Sequence, residues 1–413
     1  MRAEEVGAST TVPDSPARSS WAELARVVPR TAVFASKAAR VRPDRPVPGL
    51  RRSPWTLAQV ALDDLVVTVA HVRGRDTTLD FDSPRDDQRA EQRGAVRRLT
   101  EAGAFAASSV LFPTPPPVSA TRLTRRRRYG VKFEHVSFES GYEPPAAVPG
   151  SDAWRAHEGG RHAHAFLLRH RGPRPWLVAL HGYGTGEPYD LWWMGSVAAH
   201  RQLGVNVMNV VLPRHGTRGR AESDDRFPGL DPFVNLFGFA QAIWDIRRAI
   251  GWARTQGATR IGVHGISLGG YVAALLAGIE PGLDCVIAGT PVVDFGQLTS
   301  RHMARYEGDD HVLVRAVRDE AATALNRLVA PLTYPPLVAH EGRFIYAAVG
   351  DRMATPEQAV ALWRHWDSPA ILWVQTSHIG AALARQSRRF VHAALRTRGI
   401  ATTPAPGATP STP

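Results

Sequence analysis

The chain has 413 residues, of which 44% are hydrophobic, 21% charged and 8% aromatic, with a formal net charge of +12. This composition is typical of a globular protein and excludes a fully disordered chain, a collagen-like repeat and a disulfide scaffold. The one cysteine, Cys285, allows no internal disulfide and no cysteine-rich metal site. Only two of the 50 basic residues are lysine, an arginine bias typical of a GC-rich coding genome. The charge alone therefore does not indicate a nucleic-acid-binding face.

The first 120 residues divide into two segments. Residues 1–50 are rich in Ala, Arg, Pro and Ser, which predicts a poorly ordered lead-in with one short helix near 21–28. Residues 51–120 predict a helical extension, because apolar residues recur from 55 to 69 at helical spacing while Asp63 and Asp64 fall on the other face. We expect the extension to pack on the rest of the chain or on a second subunit of a homo-oligomer.

Patterns for export and for membrane insertion are missing. Residues 1–12 carry Glu4 and Glu5 where a signal peptide has a basic region followed by an apolar one. No stretch reaches about 18 uninterrupted apolar residues. The sequence therefore predicts a soluble, cytoplasmic protein with no integral membrane segment.

Residues 121–400 alternate strand and helix patterns. Two alternating strands are predicted first, at 131–138 and 162–168, and six short apolar runs then predict buried strands at 176–180, 205–212, 260–264, 284–290, 344–349 and 370–374. Helical patterns separate the later runs, which predicts an α/β domain with a mainly parallel, doubly wound sheet. We also predict a partial cap at 295–340 and a disordered tail at 401–413.

The strongest motif is Gly265-Ile-Ser267-Leu-Gly269, which matches G-x-S-x-G between a predicted strand and a predicted helix. A nucleophilic serine needs this sharp turn, because its backbone is strained and its flanks leave no room for side chains. The N-terminus of the next helix then directs N–H groups toward a developing oxyanion. The alternative is a glycine-containing turn with no catalytic role.

A second glycine-rich run, His181-Gly-Tyr-Gly-Thr-Gly186, directly follows an apolar strand. The N–H groups of Tyr183 in this loop and of Leu268 after the serine are the predicted oxyanion donors. The run lacks the G-x-G-x-x-G spacing and a lysine, which argues against a nucleotide site. No metal and no organic cofactor is expected.

These motifs resemble those of the α/β-hydrolase superfamily, with Gly265 to Gly269 as the nucleophile elbow and His181-Gly182 as the oxyanion loop. The resemblance covers about residues 130–398 and implies the chain order Ser, then Asp or Glu, then His. Asp351, after a predicted strand, is identified as the acid, and His378, after the last predicted strand, as the base.

Other residues compete for these roles. Asp294 also follows a predicted strand and stays open as the acid, whereas His302 precedes Asp351 in the chain. His392 lies within a predicted helix, and His264 precedes the nucleophile, so packing roles are expected for both.

Residues near the predicted strand ends could also contact the substrate. These candidates are His181, Gly182, Arg214 and His215. Arg214 and His215 could instead belong to a loop whose side chains are solvated and contact no substrate. The run at 125–128 consists of four arginines, which we interpret as a solvated segment because no set of stacking aromatic residues accompanies it.

Taken together, the motifs predict a serine hydrolase, most simply a carboxylic-ester hydrolase with a Ser267–His378–Asp351 triad and a small-molecule acyl substrate. The same triad would serve an acyltransferase or a peptidase. Two further alternatives are a catalytically silent hydrolase-like protein for binding or assembly and an arginine-rich nucleic-acid binder. The nucleic-acid-binding alternative is not favoured, and no nucleic-acid partner is expected.

Overall fold

The computed structural model describes residues 20–40, 46–78, 86–146, 148–219 and 227–402. Most of the predicted tail at 401–413 and the first 19 residues of the predicted lead-in lie outside the described residues.

A nine-stranded sheet forms the centre of the molecule. Its strands are β1 (Arg122–Arg128), β2 (Val131–Glu139), β3 (His162–Leu168), β4 (Arg174–Leu180), β5 (Asn206–Val211), β6 (Ala258–Ile266), β7 (Cys285–Gly289), β8 (Arg343–Ala348) and β9 (Ala370–Val374). Their order across the sheet is β1-β2-β3-β5-β4-β6-β7-β8-β9. Pairing is antiparallel from β1 to β5 and parallel from β5 to β9. The predicted mainly parallel sheet is confirmed.

The order from β2 to β9 is that of the α/β-hydrolase fold. Its second strand, β3, runs antiparallel to its neighbours, and β4 and β5 exchange places relative to chain order. β4 lies between β5 and β6, which come after it in the chain, so the strand order reverses at this point. Because β4 and β6 are parallel neighbours, the loops that follow them lie at the same edge of the sheet. Ligands of open α/β sheets bind at this switch point, beyond the carboxyl ends of the strands.

The helices cover both faces of the sheet. In chain order they are α1 (Ser20–Ala25), α2 (Val27–Ala38), α3 (Pro54–Thr78), α4 (Asp86–Glu101), α5 (Ser151–Ala156), α6 (Asp190–Trp193), α7 (Ser196–Leu203), α8 (Pro232–Thr255), α9 (Leu268–Ala277), α10 (Phe295–Glu307), α11 (Val312–Val317), α12 (Glu320–Arg327), α13 (Pro356–His365), α14 (His378–Leu383) and α15 (Arg385–Thr397). α8, α9 and α13 bury their apolar residues in one core, and α7 and α15 bury theirs in a second. The sheet is thus buried on both faces.

The segment predicted as a poorly ordered lead-in contains structure within its described part. Residues 20–38 form α1 and α2, and Val27 and Ala35 of α2 are buried. The hydroxyl of Thr31 donates a hydrogen bond of 3.0 Å to Asp64 of α3. The expectation of a single short helix is wrong here because packing against α3 stabilises helices that would be marginal alone.

α3 packs on the α/β domain with the opposite face to the one predicted. Asp63, Asp64 and Val60 are fully buried, whereas Trp55 is 73% and Leu62 45% exposed. Ion pairs and backbone N–H groups of the domain compensate the free-energy cost of burying the two carboxylates. These contacts decide which face of α3 is buried, against the face that the spacing of apolar residues predicts.

Length and composition alone would allow α3 to cross a membrane. Among the described residues it is the one helix of this kind, with a mean hydropathy of 1.2 over an 18-residue window in Pro54–Val72. Helices packed inside proteins pass the same test, and the two buried aspartates of α3 are bonded to the domain. Location in the cell stays a prediction.

The four consecutive arginines are exposed, as expected for a solvated run, but they lie within an edge strand of the sheet and not in a segment before the domain. They belong to β1, which pairs with β2 at the edge of the sheet and is exposed over most of its length. Charged side chains on an edge strand oppose pairing with another chain.

Candidate active site

Ser267 lies in the sharp turn between β6 and α9. Its backbone has φ 58° and ψ −114°, a conformation that side-chain-bearing residues rarely adopt. The N–H of Ser267 donates a 2.9 Å hydrogen bond to the carbonyl of Gly289 at the end of β7, which holds the turn against the sheet. Strain maintained by surrounding contacts is typical of functional positions.

The glycines of the motif are required by close backbone contacts. A Cβ on Gly265 would lie 1.9 Å from the carbonyl oxygen of Gly269. A Cβ on Gly269 would lie equally close, 1.9 Å, to the carbonyl oxygen of Leu180 at the end of β4. The elbow therefore forms only with glycine at both positions, which explains the spacing in the sequence.

The loop after β4 lies beside the serine. A Cβ on Gly182 would be 3.8 Å from Ser267 Cβ, and Tyr183 lines the same cavity as Ser267. Leu268 is the first residue of α9, so its N–H has no acceptor within the helix. The two backbone segments predicted to hold an oxyanion thus both lie close to Ser267.

His181 connects this loop to the loop after β5. Its Nδ1–H donates to the carbonyl of Gly182 at 2.8 Å, and its Nε2 accepts the N–H of Leu212 at 3.0 Å. Burial and, to a smaller extent, the neighbouring His215 lower the pKa of His181 to about 3. The ring is therefore neutral with both nitrogens engaged, which suits a residue that positions the oxyanion loop.

Arg214 and His215 lie in the loop after β5. Arg214 has a positive φ of 58°, and its guanidinium stacks 4.5 Å from the centre of the Trp154 ring. His215 is buried and hydrogen-bonded to the carbonyl of Pro213 at 2.9 Å. Neither residue lines the cavity beside Ser267. Their predicted contact with substrate stays a prediction.

Asp351 and His378 come together in the loops after β8 and β9. Asp351 Oδ2 accepts a 2.7 Å hydrogen bond from His378 Nδ1, and both side chains are buried. The other oxygen, Oδ1, accepts the N–H groups of Met353 and Ala354 at 2.8 and 2.7 Å. The carboxylate is thereby oriented toward the imidazole, which leaves Nε2 as the proton acceptor.

The charges around His378 favour its protonated form. Burial alone would lower the pKa of His378, but the charge of Asp351, its hydrogen bond and the charge of Asp63 outweigh burial and raise that pKa. A base with a raised pKa stabilises the imidazolium formed when a nucleophile loses its proton. Among the described residues, the Ser267 hydroxyl makes no hydrogen bond, and in unliganded enzymes the serine–histidine contact often tightens only with substrate.

The competing residues have other contacts. Asp294 caps α10 by accepting the N–H of Gln297 at 2.8 Å, and it is not bonded to His378. His302 Nε2–H donates a 2.8 Å hydrogen bond to the carbonyl of Met353 in the loop after Asp351. His264 is hydrogen-bonded to the hydroxyl of Tyr346 at 3.1 Å.

Sequence reasoning missed the role of Asp63. Its Oδ2 accepts the N–H groups of His378 at 2.7 Å and Arg352 at 3.3 Å, and its Oδ1 accepts that of Ile379 at 3.3 Å. Burial and the charge of Asp351 raise the pKa of Asp63. The adjacent Asp64 forms ion pairs with Arg305 and Arg352. Two neighbouring aspartates within an apolar helix were the available signal, because buried charges need partners.

An apolar cavity of about 310 Å³ opens beside Ser267. It is bordered by α3, α9, α10 and the loop after β8. The residues lining it are Val66, Val67, Ala70, His71, Tyr183, Ser267, Leu268, Val292, Phe295, Leu298, His302, Met303, Tyr306, Met353 and Ala354. Within the described ranges, no cluster of three His, Cys, Asp or Glu side chains could hold a metal ion.

No protein-family model matches the chain. Among solved structures, it is similar to an acetyl xylan esterase from Paenibacillus sp. R4, with 17% identity, a TM-score of 0.47 and coverage of 72% of this chain and 93% of the esterase. It is also similar to TT1662 from Thermus thermophilus, with 17% identity, a TM-score of 0.43 and coverage of 68% and 100%.

Similarity in sequence is much higher to a mycobacterial protein. The chain is 40% identical over 300 residues to the uncharacterized protein Rv2627c of Mycobacterium tuberculosis strain H37Rv, and the alignment covers 72% of each chain. The uncharacterized protein MT2702 of strain CDC 1551 matches with the same identity and coverage. The chain therefore belongs to the family of Mycobacterium tuberculosis Rv2627c, and its strand order and its G-x-S-x-G turn match those of the α/β-hydrolase fold.

Proposed function

We propose that the protein is a serine hydrolase that cleaves carboxylic esters through an acyl-enzyme. The observation that carries the proposal is the strained Ser267 elbow at the same sheet edge as the bonded Asp351–His378 pair. This combination provides a nucleophile, a base and an orienting acid in the order that the elbow motif implies.

In the acylation step, Ser267 Oγ attacks the acyl carbon while His378 Nε2 takes the hydroxyl proton. The N–H groups of Leu268 and Tyr183 stabilise the negative charge on the carbonyl oxygen of the tetrahedral intermediate. When the bond to the alcohol oxygen breaks, His378 gives that proton to the departing alcohol, and the acyl group remains on Ser267.

Deacylation repeats the sequence with water. His378 takes a proton from water as its oxygen attacks the acyl carbon, and the second tetrahedral intermediate uses the same two N–H groups. The bond to Ser267 Oγ then breaks, Oγ regains the proton from His378, and the carboxylic acid leaves. Asp351 stays ionised throughout and holds the imidazole with Nε2 facing the serine.

A fluorophosphonate, which reacts with activated serines, tests the proposal directly. We expect the intact mass to show one adduct per chain, because only an activated serine reacts rapidly, and peptide mapping to locate the adduct on Ser267. Heat-denatured protein is the control and should not react. An unmodified chain after prolonged exposure would indicate a catalytically silent protein, and an adduct on another residue would refute the nucleophile.

A further inference from the structure

The cavity beside Ser267 is built to receive an apolar group. Ten of its fifteen lining residues are apolar. Apart from Ser267 and the exposed Tyr183, its polar members are bonded within the protein: His302 with the Met353 carbonyl at 2.8 Å, and the Tyr306 hydroxyl with that of Thr68 at 3.0 Å. His71 Nε2 is bonded to the Glu307 carboxylate at 2.9 Å. A sugar or peptide group placed here would have to compete with these bonds, whereas a hydrocarbon chain would not.

The size of the cavity indicates how long this group is. A water molecule has a share of about 30 Å³ in the liquid, so 310 Å³ accommodates about ten non-hydrogen atoms. An acetyl group would leave most of this space unfilled. Each methylene transferred from water into the cavity is worth about fourfold in an equilibrium or specificity constant.

We propose that this cavity holds the acyl chain and selects esters of linear apolar acids of about six to eight carbons. The inference rests on the proposed function, because it describes the acyl subsite of the same serine. One wall of the subsite consists of Val66, Val67 and Ala70 of α3, so the N-terminal extension takes part in substrate selection.

A series of p-nitrophenyl esters tests the chain length. We expect kcat/KM for the hexanoate to exceed that for the acetate by about 250-fold, because about four more methylenes are buried. Val67→Phe fills part of the cavity and should reduce this ratio to below about tenfold. The matched control is Val69→Phe, on the same helix but outside the cavity lining, which should keep the wild-type ratio.

Binding of octanoate to the Ser267→Ala variant tests the subsite without turnover. Calorimetry should detect octanoate but not acetate, and addition of Val67→Phe should weaken octanoate binding by about tenfold or more. Octanoate binding without any ester hydrolysis would refute the proposed function and retain the subsite. A preference for acetate esters, or equal effects of Val67→Phe and Val69→Phe, would refute the subsite and retain the hydrolase.

A separate observation concerns Asp63, which joins α3 to the loops of both His378 and Asp351. Its two oxygens accept three backbone N–H groups, from Arg352 next to the acid and from His378 and Ile379 at the start of α14. α14 is a helix of only six residues. A helix this short is marginally stable alone, so its own hydrogen bonds hold the backbone of His378 only weakly. The fully buried carboxylate therefore supplies contacts that α14 lacks.

We infer that Asp63 is a positioning residue that fixes the His378 backbone relative to Asp351. The charged groups around it are Asp351 and His378 on the loops after β8 and β9, and Arg352, whose guanidinium pairs with Asp64. Loss of the Asp63 charge removes one of the groups that favour the imidazolium form of His378.

Asp63→Asn tests this role. We expect kcat to fall by about 10- to 100-fold with KM changed less than about threefold, and the acid limb of kcat/KM to move to lower pH because the pKa of His378 falls. The matched control, Asp64→Asn, also removes a buried charge from α3 and should lower Tm without moving the acid limb.

Asp63→Ser, which keeps a hydroxyl acceptor, provides a second variant if Asp63→Asn does not fold. It should show the same shift of the acid limb, because it too lacks the charge. An unchanged acid limb in a folded Asp63 variant, or equal shifts in the Asp63 and Asp64 variants, would refute the positioning role.

Discussion

Replacement of Ser267 by alanine is expected to lower kcat for p-nitrophenyl esters by about 10⁵- to 10⁶-fold and to abolish fluorophosphonate labelling. The loss is large because the remaining oxyanion donors and base cannot replace a covalent nucleophile. Alanine is smaller than serine and needs the same positive φ of 58°, so the elbow geometry that the flanking glycines allow is retained. Tm should therefore change by only a few degrees. Stopped-flow and steady-state assays with the p-nitrophenyl ester of a six-carbon acid measure the effect.

The control for this variant is Ser387→Ala. Ser387 is buried on α15, and its hydroxyl has no hydrogen-bond partner among the residues that the structure describes, so its removal leaves none of their donors or acceptors unpaired. We expect wild-type turnover and full labelling of Ser267. Wild-type turnover in the Ser267→Ala variant would refute the acyl-enzyme, and loss of activity in both variants would indicate a general effect on folding.

Asp351→Asn is expected to lower kcat by about 10⁴-fold, the second largest effect. An asparagine amide donates where the carboxylate accepts, so Nδ1 of His378 can no longer donate to it and the imidazole takes the wrong tautomer. Oδ1 can still accept the N–H groups of Met353 and Ala354, which preserves the loop. The residual activity should show its acid limb at lower pH, because the charge that raises the pKa of His378 is gone.

Asp294→Asn is the matched control and distinguishes the two candidate acids. Asp294 caps α10 through the N–H of Gln297, and asparagine is as good a helix cap as aspartate. We expect turnover within about threefold of wild type and an unchanged pH profile. If Asp294→Asn instead lost about 10⁴-fold and Asp351→Asn did not, Asp294 would be the acid and the bond between Asp351 and His378 would be structural.

Much of the site could be predicted from sequence because its residues sit in short, local motifs. Glycine is required at Gly265 and Gly269, because a Cβ at either position would lie 1.9 Å from a carbonyl oxygen of the elbow or of the end of β4, and this holds wherever the turn forms. Apolar runs likewise predict the buried strands, since each strand carries its own pattern. The positions of Asp351 and His378, in the loops after β8 and β9, could be predicted because each follows an apolar run that marks a buried strand.

The N-terminal region shows where local patterns fail. The spacing of apolar residues in α3 favours burial of the face with Trp55 and Leu62, yet the structure buries Asp63 and Asp64. A carboxylate is costly to bury alone, and its partners here lie about 240 to 315 positions away in the chain, at Arg305, Arg352 and His378. No window of sequence contains that information.

The net charge of +12 likewise does not by itself indicate what the basic residues do. Some arginines lie on the exposed edge strand β1, and others form specific ion pairs. Arg218, for example, forms a fully buried ion pair of 2.8 Å with Asp245. The sequence by itself determined the α/β class, the elbow and the order of the candidate triad, because these depend on neighbouring residues. Only the tertiary structure decided that α3 borders the cavity beside Ser267 and is bonded to the backbone of His378, because burial and long-range pairing are properties of the folded chain.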